Sequence, residues 1–599
     1  MRILNSIVFC FVSVVLAYAG SAKQVFHSPD NSVGLSVYTV NGQLKYEVTY
    51  KGKPVILESS LGIDGWKENM EIERIDSVSV NQDWHPIYGE RSVVNDCYKG
   101  YTYTLKRKGH GDRLALIVRI YNSGVGFRYK YLHGSYLRIT EEFTTFTVPE
   151  NTYCWFAPFA QAEHKRMLVK DWPGEAERPL TLQLGNGLYA SLAEAEMVDY
   201  SRTKFVVRKG ESNVIRCKMY DAVEDIAPFE TPWRVVMVAE SPKDLINNND
   251  LILNLNKPCQ IEDTSWIKPG RIIRTVSLTT DGAKKVVDFA VKRGLNYIHF
   301  DSGWYGSEIS KESDPRKSDV DPQRCPVNDL DMPEVVRYAK SKGVGVWVYV
   351  NQRALSAYLD EILPLYESWG IAGIKFGFVH VGSFRWTTWL HDAVKKCAKH
   401  HLMVDIHDEY RPTGFSRTYP NLLTQEGVRG NEEFPDGVNN TTLPFTRFLC
   451  GAADATACHQ MALSVINYSP LQFLYWYDTP EDVKDEPELF FFDNLPTTWD
   501  DSKTLDGAIG EYITMARRKD NVWYVGCLTN NDARKLNVSL DFLEEGKKYE
   551  LTMFTDGGEK VKTRTHVAID TKKVTAKTNL KLSLLPRGGV AMIIKELKD

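Results

Sequence analysis

Between residues 271 and 406 one grammar repeats: a short, almost wholly apolar run, a stretch with helical spacing, then another apolar run. Runs at 271–278, 296–300, 345–350, 371–376 and 402–406 alternate with helical stretches, among them 283–292, 333–342 and 357–369. In the last of these, Leu359, Ile362, Leu363 and Tyr366 fall at i, i+3, i+4 and i+7, one face of a helix. The helix before the fifth run carries Leu390, Val394, Cys397 and Ala398 on one side. Strands with no polar alternate face must be covered on both sides, and a helix after each strand supplies that cover, so the sheet is parallel. Polar residues collect directly after the strands: Asp301, Asn351-Gln352, His380, His407-Asp408-Glu409 and Gln425-Glu426. In a (β/α)8 TIM barrel that edge is the active face, so the pattern predicts both the barrel and the place of its chemistry. A doubly wound open sheet is the alternative, but no Gly-rich phosphate loop follows the first strand.

The flanks follow a period of two. From 25 to about 258 short strands recur without helical stretches, as in Val33, Leu35, Val37 and Leu44, Tyr46, Val48, Tyr50, joined by the hairpin pair Asn41-Gly42. This reads as a large antiparallel β-super-sandwich. Alternation returns at 522–528, 536–540, 549–554 and 590–594, with a turn at Asp556-Gly557-Gly558, a second and smaller antiparallel β-sandwich. A chain of 599 residues is too long for one core, and the changes of period divide it into 23–265, 266–504 and 505–599. Residues 1–22 stand apart: Met1-Arg2, an apolar run, then small residues at Ala17-Tyr18-Ala19 and Gly20-Ser21-Ala22, with no cysteine at the cleavage region. This is the form of a secretory signal peptide, which predicts export to the periplasm and no membrane insertion after cleavage.

The formal net charge of −4 gives no electrostatic reason to expect nucleic acid or an anionic membrane as partner, and neutral substrates fit better. Cys10 leaves with the leader, and Cys97, Cys154, Cys217, Cys259, Cys325, Cys397, Cys450, Cys458 and Cys527 form no C-x-x-C pair, so reduced, buried thiols are expected.

Acids are concentrated at 407–433: His407-Asp408-Glu409-Tyr410-Arg411-Pro412-Thr413-Gly414, then Glu426-Gly427-Val428-Arg429-Gly430-Asn431-Glu432-Glu433. Gly and Pro keep them on loops. Hydrolysis of a glycosidic bond needs one carboxylic acid to protonate the leaving oxygen and a second carboxylate to activate water or attack the sugar, and a cluster of this kind suits that task. The run 407–433 resembles the signature of glycoside hydrolase family 97, the calcium-dependent α-glucosidases and α-galactosidases. Asp301-Ser302-Gly303-Trp304-Tyr305-Gly306 resembles the family's second-strand motif, and the segment from Leu188-Tyr189 through Glu194 to Asp199-Tyr200 resembles part of its N-terminal domain.

The resemblance implies an exo-acting enzyme on oligosaccharides or glycosides, removing terminal α-linked glucose or a related hexose. It makes Glu432 the general acid, with Glu433 the nearest competing assignment, and Glu194, Asp408, Glu426 and Glu432 the carboxylates around Ca2+. Glu194 would bring the N-terminal domain into the active site. Retaining members carry an Asp nucleophile at the end of the fourth barrel strand, where this chain reads Ile374-Lys375-Phe376-Gly377-Phe378-Val379. Glycine there leaves room for water, so the chain resembles the inverting branch. That branch has a candidate base after the third or fifth strand; Asn351-Gln352 occupies the first place and Asp408 the second, which makes Asp408 the expected base and Glu409 the reserve. Asp301 is a candidate to hold a sugar hydroxyl, His407 either does so or is structural, Trp304 reads either as a stacking platform or as core, and Lys375 either binds a hydroxyl or neutralises nearby acids. The alternatives are a retaining α-galactosidase-type enzyme and a catalytically silent carbohydrate-binding relative.

Overall fold

The computed structural model describes residues 12–13, 23–134, 136–454, 461–475, 479–557, 561–562 and 564–597. Apart from Val12–Ser13, bridged to Val78 and Ser77, the expected leader lies outside these residues, as do Cys458 and Gly558. The N-terminal region packs an eleven-stranded sheet against a seven-stranded one, both antiparallel. The hairpin at Asn41-Gly42 forms as read: Val33–Val40 pairs with Gln43–Tyr50 in the register Val40↔Gln43. Both turn residues have positive φ, 50° and 76°, the requirement of a turn whose twist matches its strands. Inward residues of both sheets, among them Val33, Leu44, Tyr103 and Leu116, share one core.

The central region is a parallel sheet. Its strands are β1 (Gly270–Thr275), β2 (Tyr297–Phe300), β3 (Gly345–Asn351), β4 (Gly373–Gly377), β5 (Met403–Ile406), β6 (Leu422–Gln425) and β7 (Leu471–Leu474). They run in the order β6-β5-β4-β3-β2-β1-β7. The expected barrel is present, nearly closed, and seven of its parallel strands lie among the described residues. Side chains span the seam between β6 and β7. Thr424 meets Ser469 at 3.0 Å between hydroxyls, the Gln425 amide donates to the Ala452 carbonyl, and Tyr88 of the N-terminal region donates to the Leu422 carbonyl at 2.7 Å.

The covering helices are α1 (Thr280–Lys292), α2 (Met332–Ser341), α3 (Gln352–Trp369) and α4 (Phe384–Lys399). Each starts on a side-chain oxygen that accepts a backbone N–H: Thr279, Asp331, Asn351 and Ser383. Sequence spacing places the start of α3 at 357, whereas the Asn351 cap starts it at Gln352, directly off its strand. Beyond the barrel, a six-stranded antiparallel sheet and the pair Arg534–Ser539 with Asn579–Leu584 enclose a separate core of Trp523, Leu551, Leu582 and Ile594. Its first strand, Asp501–Ala508, begins before Leu505. The described cysteines are free, and Cys154, Cys217, Cys397, Cys450 and Cys527 are buried. Among the described residues no helix is long and apolar enough to cross a membrane.

Candidate active site

Alternate residues of a strand share a face, so every second residue of β2 to β5 lines the barrel in layers. The lowest layer is apolar and packed: Tyr297, Trp347 and Met403 join Phe473, and Gly373 lies so close to the Trp347 ring that a Cβ there would come within 2.7 Å. The middle layer holds His299, Tyr349, Lys375 and Asp405. Lys375 is ion-paired with Asp454 and lies 3.5 Å from Asp405, all three buried. Burial opposes the ammonium charge, but Asp454 and Asp405 outweigh it and raise the Lys375 pKa; burial likewise pushes the Asp405 carboxyl well above the carboxylate range. Lys375 thus neutralises nearby acids, the second of its two readings. Asp405 was missed, although one acid inside the apolar run Met403–Ile406 is a legible signal.

The top layer carries the site. His407 lies 2.8 Å from Asp408 through Nδ1 and 3.4 Å from Glu426 through Nε2. The Asp408 amide donates to Glu426 at 2.7 Å, which clamps the ends of β5 and β6 together. Burial pushes Glu426 up to about 7 against the pull of His407 and Lys375. Burial opposes the charge on His407, but Glu426 and Asp408 prevail and raise it to about 9. The backbone turns sharply at these strand ends: Phe378, Asp408 and Gly427 have φ of 44°, 56° and 47°. An aspartate tolerates this conformation, and Gly427 is held to glycine because a Cβ would lie 1.9 Å from the Tyr410 carbonyl oxygen. Asp301 also reaches this level, 3.5 Å from Arg274.

His407, Asp408 and Glu426 bring ligand atoms within 4.8 Å of one another, a group able to hold a metal ion. Of the four carboxylates expected around a metal, Asp408 and Glu426 belong to this group. Glu194 is committed elsewhere: buried in the strand Tyr189–Ala195, its carboxylate is bound by Arg178, Arg234 and Thr203, which already supply its compensating charge. Glu432 is exposed in the 3-10 turn Asn431–Glu433 and is not a member of the group. Its neighbour Glu433 is half-buried, and burial raises its pKa.

Three further placements settle or change what the sequence left open. Trp304 is fully buried, its indole donating to the Tyr349 carbonyl at 2.8 Å and packing on Tyr305 and Tyr366, so no sugar reaches it. Glu409 accepts the Ala160 amide at 2.8 Å and thereby ties the barrel to an N-terminal loop. Through that loop the N-terminal region reaches the site: the Gln161 amide lies 3.5 Å from Glu426. Position 377 is not open to water. A Cβ on Gly377 would lie 1.9 Å from Cζ of Tyr349, whose hydroxyl donates to Glu308 at 2.5 Å. Tyr349 and Glu308 were missed because the crossing of one strand's ring over its neighbour's glycine has no signature along the chain.

The described geometry is matched by relatives. Residues 26–258 fit the family profile Glycosyl-hydrolase 97 N-terminal, 270–428 Glycoside hydrolase 97, and 498–595 Glycosyl-hydrolase 97 C-terminal, oligomerisation. A retaining alpha-galactosidase of Bacteroides thetaiotaomicron is 26% identical, over 99% of this chain and 100% of that one. A probable retaining alpha-galactosidase of Streptomyces bingchenggensis is 28% identical over 82% and 80%. A family 97 enzyme from Pseudoalteromonas sp. strain K8, solved with panose and with acarbose, superposes with TM-score 0.87 at 27% identity, covering 96% of this chain and 100% of that one. With three consecutive profiles in the family's order and an acid cluster at the mouth of the barrel, the chain is a glycoside hydrolase belonging to family 97.

Proposed function

We propose that this enzyme removes a terminal α-linked glucose or related hexose from oligosaccharides with inversion, water attacking the anomeric carbon directly. The observation that supports inversion is position 377. Retention by the route expected of this family needs a carboxylate at the end of β4, and the Tyr349 ring fills the space where such a side chain would begin. In this reading Glu432 is the general acid that protonates the leaving oxygen, and Asp408 the base that takes the proton of water. The two carboxyl groups of an inverting site stand about 6.5–9.5 Å apart to admit that water. Asp301 and His407 hold sugar hydroxyls. Glu409 drops out as reserve base because it faces Ala160.

A retaining α-galactosidase-type reaction is the second reading, favoured by the activities of the two sequence relatives. Proton NMR of the first-formed sugar separates them: β-anomer from an α-glycoside is expected, and initial release of the α-anomer would overturn the proposal. Glu432→Gln is expected to lose several orders of magnitude in rate on poor leaving groups and less on activated aryl glycosides, which need little protonation. The same pattern in Glu433→Gln instead would move the acid to that residue.

Asp408 and Glu426 offer the oxygens a hard cation selects, with ligand atoms close enough to share one ion, so the pair fits Ca2+. A bound calcium ion would stabilise both carboxylates in their charged form. Chelation is expected to lower both activity and melting temperature, calcium restoring each; an unchanged melting temperature after exhaustive chelation would sink the assignment. Oligosaccharides as substrate are supported by the panose and acarbose complexes of the Pseudoalteromonas enzyme. The leader-like residues 1–22 support export to the periplasm.

A further inference from the structure

The site as described has charge and hydrogen-bonding groups, while the candidate stacking aromatic, Trp304, is buried. Another residue has the properties that Trp304 lacks. Phe378 follows the last residue of β4 at the barrel mouth and is 53% exposed. Its ring centroid lies 5.7 Å from that of His407, the residue joining Asp408 and Glu426. About half of this residue is left in water beside the polar centre, free to be covered by a ligand.

The backbone also costs free energy there. Phe378 has φ of 44°, a left-handed conformation that a bulky residue adopts only when its surroundings impose it. They do so at several points. The His380 amide is bound by the Gln352 side chain, the Gly382 carbonyl accepts from the Arg202 amide at 2.8 Å, and the Phe384 amide donates to Asp221 at 2.9 Å. The loop is thus anchored to α3 and to the N-terminal region, with the Phe378 ring edge-on to His407. A strained, anchored and exposed aromatic at a polar site is the arrangement that pre-organises one face of a binding pocket.

We propose that Phe378 is the sugar-stacking platform of this active site, taking the apolar C–H face of the terminal hexose whose hydroxyls reach His407 and its two carboxylates. The identity of that sugar rests on the function proposed above; the platform rests on the position of the ring. Stacking on a pyranose buries a ring face that water otherwise covers, and it is compatible with either epimer, because glucose and galactose both present such a face.

Phe378→Gly and Phe378→Trp test this together. The glycine variant removes the ring and relieves the positive φ, so its melting temperature should equal or exceed wild type while KM for an aryl α-glycoside rises about tenfold or more. The tryptophan variant keeps a stacking face and should stay within about threefold of wild type in KM. Calorimetric Kd values for free glucose and galactose should follow the same order. Wild-type KM and sugar affinity in the glycine variant would overturn the platform, as would a loss of affinity that tracks a fall in melting temperature. The two proposals fail separately. Should the wild-type enzyme cleave no α-hexoside yet bind hexose in a Phe378-dependent way, the platform stands and the substrate reading falls. Normal cleavage with an unaffected glycine variant gives the reverse.

Discussion

Position 377 shows how one residue sets the possibilities of the whole site. Gly377 is adjacent to a ring that belongs to the next strand, and Tyr349 is held over it by the Glu308 carboxylate at 2.5 Å. Burial and Glu308 both raise the Tyr349 pKa, so the phenol stays neutral and remains a donor. A Cβ at 377 would overlap the ring and could be admitted only by displacing it. Gly377→Ala is therefore expected to cost about 1–3 kcal/mol, read as a lowered denaturant midpoint, and Gly377→Asp no less. Combining Gly377→Asp with Tyr349→Ala should recover part of that loss, because the second change vacates the space the first requires. Additive losses in the double variant would show that the overlap is relieved in some other way.

At the scale of an element, the turn after β6 depends on a single cation. Arg447 is fully buried and donates to the carbonyls of Gly427 at 2.7 Å, Glu426 at 2.8 Å, Ala452 at 2.9 Å and Gly451 at 3.0 Å. A planar guanidinium is suited to this, since its five N–H groups diverge in one plane while a lysine offers three at a point. The segment so held carries Glu426 into the site and continues towards Glu432. Arg447→Lys is expected to leave buried carbonyls unpaired, each costing about 1–3 kcal/mol. Thermal unfolding should show the loss, and calcium should raise the melting temperature less than in wild type because Glu426 is no longer fixed. A variant with wild-type stability and an unchanged calcium response would remove Arg447 from this role.

For the whole molecule, the junction of the N-terminal region with the barrel is a store of paired buried charge. Glu177 is 2.9 Å from Arg178 and 3.4 Å from Arg202; burial would raise its pKa, but Arg202, Arg178 and Arg411 prevail and bring it to about 2. Its folded pKa is below the ordinary 4.5, so its contribution is present above pH 4.5 and is lost as pH falls towards 2, roughly 3 kcal/mol in all. His164, which like Glu177 is acted on by Arg411, is buried and depressed from 6.5 to about 3, first by burial and then by Arg411 and Arg447. The unfolded chain binds that proton from pH 6.5 downward and the folded one does not, so the sign is the same. The junction's own contribution to stability should therefore fall between about pH 6.5 and pH 3. Glu177→Gln should lower stability at neutral pH and flatten the lower part of the profile. A Glu177→Gln variant whose melting temperature runs parallel to wild type below pH 4.5 would show Glu177 to be electrostatically inert.

The order of three regions, the parallel sheet between two antiparallel ones, the Asn41-Gly42 hairpin and the loops carrying Asp408, Glu426 and Glu432 are all legible along the chain. They depend on periodicity and on the conformations of Gly, Pro and Asn, which are properties of neighbours in sequence. So is the union of His407 with Asp408, one residue apart, and of both with Glu426, because adjacent parallel strands bring their ends together. What remained for the tertiary structure was partnership across the barrel and between regions. That Glu194 meets Arg178 and Arg234 follows from packing between strands, which its charge alone does not encode. Trp304 reads equally as platform or core until Tyr305 and Tyr366 close around it. Barrel closure, the Tyr349 ring over Gly377 and the exposed Phe378 likewise follow from distances between strands, which side-chain type and spacing do not encode.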